Sequence, residues 1–154
     1  LGAALDYIEK HRYKKRVAVL VSGDTGIYSL ADYLKKNLGS KNLVFIPGVS
    51  SVQVLFARIQ KQWSHAQIIS LHGKNVEGLY SLVQSSNTTA LLTGSPWTPQ
   101  KICQHLLDGG LPDKKVIVGK DLSYPTEMFK ETTLKLLADD EYDYSNSVMV
   151  IINE

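Results

Sequence analysis

Short β-branched runs alternate along this chain with stretches whose apolar positions repeat every three or four residues. Leu1, Ala4, Leu5 and Ile8 share one helical face, and residues 17–21 form an apolar run of the kind that makes a fully buried strand. A glycine turn, Ser22-Gly23-Asp24-Thr25-Gly26, leads into a predicted helix with Ile27, Leu30, Ala31, Leu34 and Leu38 on its inner face. Gly39 is its natural stop. Residues 43–46 read as the next strand, closed by Pro47-Gly48. Ser50 or Ser51 then caps a helix with Val52, Leu55, Phe56 and Ile59 inside. The order βαβα predicts a parallel sheet with right-handed crossovers.

After Trp63 the rhythm restarts. Strands are predicted at 67–71, 89–92, 116–118 and 148–152, with a short one at 126–130. Helical faces fall at Val76, Leu79, Tyr80 and Val83, and at Ile102, Cys103, Leu106 and Leu107, the second ended by Gly109-Gly110. Residues 122–125 and 139–146 read as exposed loops. The predicted fold class is α/β, in two small lobes of residues 1–63 and 64–154.

The chain has 154 residues, 44% of them apolar and 21% charged, which suits a packed core and excludes a disordered polymer. A net charge of +2 is too mild to announce a nucleic-acid or membrane partner. The single cysteine, Cys103, cannot form an intrachain bridge and points to a reducing, cytoplasmic setting. No apolar run approaches the roughly 20 residues of a membrane helix, and no secretory signal is visible.

Three loops at predicted strand ends could carry chemistry, since ligands of open α/β sheets gather there. At Gly23 and Asp24, backbone can approach a ligand closely and a carboxylate is offered; a tight turn with Asp24 capping the helix fits equally well. The hydroxyls of Ser50 and Ser51 either greet a polar ligand at a helix N-terminus or simply cap it. His72 and Lys74, in Ser70-Leu71-His72-Gly73-Lys74, present an imidazole and an ammonium together, or are a solvated strand end. The first loop lacks the Lys-Ser/Thr pair of a P-loop. His11, His65, His72, His105 and Cys103 show no zinc spacing, so no metal is expected. Cys103, Trp63 and Trp97 read as packing residues, and the basic cluster from His11 to Arg16 as a solvated helix end.

Taken together, these segments resemble the tetrapyrrole methylases. Val21-Ser22-Gly23-Asp24 resembles their Gly-Asp-Pro loop, and Pro47-Gly48-Val49-Ser50-Ser51 their second signature. The stretch from Trp63 to Lys74, with Leu91-Leu92-Thr93-Gly94 and Asp121-Leu122-Ser123-Tyr124-Pro125-Thr126-Glu127, is similar to the cobalt-precorrin C-5 methyltransferases of cobalamin biosynthesis. The resemblance implies an S-adenosylmethionine-dependent enzyme that methylates C-5 of a corrin-type tetrapyrrole. It implies cofactor contacts at Gly23, Asp24, Ile27, Ser50, Ser51 and Thr93. His72 is the implied substrate and catalytic residue; Lys74 and, as a further candidate, Arg58 would meet the macrocycle's carboxylates. It further implies a first lobe whose parallel sheet misses its N-terminal strand, a second lobe with a mixed sheet, and a homodimer. A separate protein would methylate and decarboxylate at C-15.

Three positions depart from the family pattern: Thr25 stands for proline, His65 for aspartate and Lys74 for arginine. Rival readings are a same-fold methyltransferase with another acceptor (a different corrin carbon, an RNA ribose or a protein histidine) and a non-catalytic ligand-binding homologue.

Overall fold

The computed structural model describes residues 2–41, 43–72 and 76–153. In chain order the elements are α1 (Gly2–His11), α2 (Leu30–Leu38), α3 (Ser51–Arg58), β1 (Gln67–Ser70), α4 (Leu79–Ser85), β2 (Thr88–Leu92), α5 (Pro99–Asp108), β3 (Lys115–Lys120), β4 (Met128–Thr133), α6 (Leu134–Ala138) and β5 (Ser147–Ile152). They divide into two units, residues 1–50 and 51–154.

The second unit is built on β5. Every residue of this strand is buried, because it lies between β2 and β3 and is covered on both faces. Strand alternation sends Met149 and Ile151 to one face, where they join Val83, Ile102, Leu106, Leu134 and Leu137. Val148, Val150 and Ile152 turn to the other face and join Val52, Leu55 and Phe56 of α3. The strand order is β1-β2-β5-β3-β4. Only β1 and β2 run parallel; β5 is antiparallel to β2 and β3, and β4 to β3, so the sheet is mixed.

Local chemistry explains the element ends. The Thr98 and Thr133 hydroxyls accept the N–H groups of Lys101 and Leu136, capping α5 and α6. Pro99 follows Thr98 at the start of α5, where its missing N–H costs nothing. The α6 turn was not predicted: five residues are too few to show a helical period, although Thr133 with Leu134 and Leu137 is its signature. Strand β4 extends past the expected 126–130, because Lys130 to Thr133 pair in register with Lys115 to Val118.

In the first unit, α1 and α2 form as expected, with Ile8, Leu34 and Leu38 at the centre of their contact. Arg12 Nη1 donates to the Leu38 carbonyl at 3.1 Å, a cation at a helix C-terminus. Helix α2 starts at Leu30, capped by the Ser29 hydroxyl, so Ile27 precedes the helix instead of opening it.

Two expectations are corrected. Residues 17–21 and 43–46 form no strand among the described residues, and the expected parallel ladder is absent there. β-branched composition supplies strand propensity, but a ladder also needs a partner backbone in register. Leu20 is 95% and Val44 85% exposed, and the two runs line one groove of about 1100 Å³. The division between units falls after Ser50 and not after residue 63, because Val52, Leu55 and Phe56 are wholly buried on the sheet of the second unit.

Candidate functional site

In the first unit, Asp24 ties two loops together. Its Oδ1 accepts the Gly26 N–H at 2.7 Å and its Oδ2 accepts the Gly48 N–H at 2.9 Å. These bonds, that to Gly48 foremost, hold its carboxyl below the usual carboxylate value. Asp24 therefore does not cap α2; that task belongs to Ser29. The loops meet backbone to backbone. A side chain on Gly48 would collide with the Gly23 carbonyl, and Gly23 itself has φ 76°, a left-handed conformation that suits glycine. Ser50 is buried beside Gly23, and the Thr25 hydroxyl donates to the Ile46 carbonyl at 3.4 Å. Gly23, Asp24 and Ser50 thus stand together, and the Ile27 N–H donates to the Asp24 carbonyl at 3.4 Å. Ser51 opens α3.

In the second unit, the sheet register gathers chemistry on one edge. Strands β1, β2 and β3 all end there, β5 begins there, and Lys120 faces both Ser147 and Met128. His72 follows β1 and Thr93 follows β2, with the His72 Nδ1 at 3.3 Å from the Thr93 carbonyl oxygen. The Thr93 hydroxyl is buried and donates to the Ser147 carbonyl at 2.6 Å. The Ser147 hydroxyl donates to the Tyr144 carbonyl, also at 2.6 Å. So Thr93 fastens β2 to the start of β5.

The segment after β3 is anchored on the same edge. Asp121 and Ser123 hold positive φ values of 48° and 70°. Asp121 accepts from Asn146 Nδ2 at 2.8 Å and from the Thr126 hydroxyl at 3.1 Å. Glu127 accepts from Arg58 Nε at 2.8 Å and from the Ser123 N–H at 2.5 Å, and Arg58 foremost lowers its pKa. Arg58, expected as a substrate cation, is thus engaged by Glu127. Lys74 lies outside the described residues. Trp63 is 40% exposed, whereas Trp97 packs against the core and meets the His105 ring edge-on. Sequence reasoning missed Ser147, whose role appears only through the pairing of β5 with β2; it singled out Gly94 as part of a family segment, but not its close approach to His72, which depends on the sheet.

Among the described residues, no group of three or more His, Cys, Asp or Glu is placed to hold a metal ion. No helix among them is long and apolar enough to cross a membrane.

The chain is thus α/β, with a glycine-bounded acidic loop in one unit and, in the other, a mixed sheet that carries His72 and Thr93 at one edge. Residues 2–138 match the family model of the Tetrapyrrole (Corrin/Porphyrin) Methylases, and the chain belongs to that family. It is 29% identical over 150 residues to the probable cobalt-precorrin-7 C(5)-methyltransferase of Methanocaldococcus jannaschii, covering 94% of this chain and 69% of the relative. It is 26% identical over 154 residues to the cobalt-precorrin-7 C(5)-methyltransferase of Salmonella typhimurium, covering 100% and 74%. The fold resembles that of the cobalamin-biosynthesis precorrin-6Y methylase from Archaeoglobus fulgidus, with a TM-score of 0.72, 20% identity and coverage of 99% and 71%.

Proposed function

We propose that this chain is an S-adenosylmethionine-dependent methyltransferase acting on C-5 of a cobalt-containing precorrin in cobalamin biosynthesis. The observation that carries the reading is the similarity, over nearly all of the chain, to two relatives named for that reaction. When bound, S-adenosylmethionine supplies an activated methyl group on a sulfonium, whose departure leaves a neutral thioether. The protein therefore needs to position the acceptor carbon and exclude water, and no side-chain nucleophile is required.

The cofactor contacts are assigned to Gly23, Asp24, Ile27, Ser50, Ser51 and Thr93. The loop chemistry fits: side-chain-free backbone at Gly23 and Gly48 lets the two loops meet, and an ionised Asp24 keeps both in place. Thr93 contributes through its main chain, since its hydroxyl is spent on Ser147. The departure at Thr25 is compensated, because its hydroxyl tethers the loop to Ile46, a bond proline cannot make. His72 and Lys74 are assigned to the macrocycle, with His72 as proton acceptor. The enzyme is placed in the cytoplasm as a homodimer, with neither nucleic acid nor membrane as partner.

The test is calorimetric titration of the wild-type chain and Asp24→Ala with S-adenosylhomocysteine, followed by methyl transfer to a cobalt-precorrin unmethylated at C-5. Binding that Asp24→Ala weakens, with one methyl added at C-5, is expected. Binding without transfer to the corrinoid would sink the acceptor assignment; no binding would sink the cofactor site.

A further inference from the structure

We infer that Gly94 is a positioning residue for His72: its missing side chain lets the imidazole lie with Nδ1–H on the Thr93 carbonyl, leaving the Nε2 lone pair to take a proton from the acceptor. The inference deepens the proposed methyl transfer and rests on that reading for its substrate.

The geometry starts from the backbone. The Leu71 N–H donates to the Leu92 carbonyl at 2.9 Å, continuing the β1–β2 pairing to the residue before His72. On the other side, the Gly94 N–H donates to the Trp97 carbonyl at 3.1 Å, forming an isolated bridge that holds the chain just past β2. Both supports of the His72 ring are thereby held. A carbonyl oxygen only accepts, so the contact between Nδ1 and the Thr93 oxygen at 3.3 Å is a bond when the proton sits on Nδ1. In a neutral ring that places the lone pair on Nε2. The oxygen that selects this tautomer is itself fixed, since the Thr93 side chain is anchored to Ser147, and Ser147 to Tyr144.

Gly94 makes the arrangement possible. The three atoms closest to a methyl placed there all belong to the His72 ring; it would overlap Nδ1 and lie 2.6 Å from Cε1 and 3.0 Å from Cγ. Gly94 is not among the glycines with positive φ, so its backbone accepts alanine. His72 is exposed, so the ring can swing away. Alanine at 94 therefore displaces the imidazole without breaking the fold.

The chemical step balances without a redox partner. The proton leaves the methylated carbon for Nε2, giving imidazolium, and the C–H electron pair stays in the macrocycle. A positioned base of this kind contributes about 10²–10⁴-fold.

The test combines nitrogen-15 NMR of the histidine rings with kinetics, using the whole chain. The His72 signals are assigned among the four histidines by their loss in His72→Asn. That variant keeps an amide near the Nδ1 position and removes the lone pair at Nε2. Wild type is expected to show Nδ1 protonated and Nε2 unprotonated in the neutral ring. Gly94→Ala is expected to abolish that preference while leaving thermal stability and S-adenosylhomocysteine affinity near wild type. With a C-5-unmethylated cobalt-precorrin, both variants should lower kcat on the order of 10²-fold with little change in KM. A proton on Nε2 in neutral wild-type His72, or Gly94→Ala with unaltered tautomer and kcat, would overturn the inference. A wild-type chain that binds S-adenosylhomocysteine and shows the Nδ1–H tautomer but methylates no corrinoid overturns the acceptor reading. The tautomer shift in Gly94→Ala then still decides the positioning role.

Discussion

The Asp24 carboxylate reaches across 24 residues of chain to accept the backbone N–H of Gly48 at 2.9 Å, while its second oxygen holds Gly26 within its own loop. One side chain therefore sets the spacing of the two loops that carry Gly23, Asp24, Ile27 and Ser50, four of the proposed cofactor contacts. The close approach works because position 48 has no Cβ to meet the Gly23 carbonyl. Exchanging either residue disturbs the same junction from opposite sides.

The pH dependence of that junction has a definite sign. The folded-state pKa of Asp24 is depressed below its ordinary 3.8, so its contribution is fully present above that value and is lost as pH falls through the folded value. Carbon-13 NMR of the Asp24 carboxyl should give a midpoint below 3.8. A midpoint at or above it would mean the bonds to Gly48 and Gly26 do not form in solution.

Gly48→Ala should separate the loops, because the obstructing atoms are the Gly23 carbonyl group, which cannot swing away as a side chain can. The Asp24 midpoint should then move back toward 3.8 and S-adenosylhomocysteine binding should weaken. Unchanged titration of Asp24 in this variant would contradict the packing described.

The boundary after Ser50 can be tested by cutting the chain. Residues 51–154 retain α3, whose Leu55 and Phe56 are wholly buried on the sheet, and should unfold cooperatively in urea. Residues 64–154 leave that sheet face bare. Losing Phe56 alone is of the size that costs about 3–5 kcal/mol, so this shorter piece should be molten or aggregated. Equal cooperativity of the two fragments would restore a boundary near residue 63.

Thr93→Val keeps the shape of the side chain but removes the hydroxyl that donates to Ser147. The Ser147 carbonyl is left without that donor inside the protein, a loss of about 1–3 kcal/mol. Denaturant unfolding should show a lower midpoint with an unchanged slope. Full stability would mean that the β2–β5 junction does not depend on this bond.

Cys103 should be inert. Burial foremost, with Asp113 adding to it, pushes its thiol up to about 12, so almost no thiolate exists near neutral pH. Iodoacetamide at pH 8 should label it only after the protein is unfolded in guanidinium. Rapid labelling of the native protein would place Cys103 outside the core.

The sequence by itself determined the elements whose information is local. Helical spacing located α1, α2, α3, α4 and α5, apolar runs located β1, β2, β3 and β5, and the loops at Asp24 and His72 were legible as candidate chemistry. Residues 17–21 and 43–46 mark the limit: they carry the composition of strands, yet pairing belongs to two backbones and not to one run of letters. The same limit hid the ownership of α3. Its apolar face was readable, but which surface covers that face depends on the alternation of Val148, Val150 and Ile152 in β5. Tertiary structure alone assembled the His72 site, because strand register sets which chain ends share a sheet edge. Only then do Thr93 and Gly94 after β2 meet the His72 imidazole after β1, with Ser147, far along the sequence, anchoring Thr93.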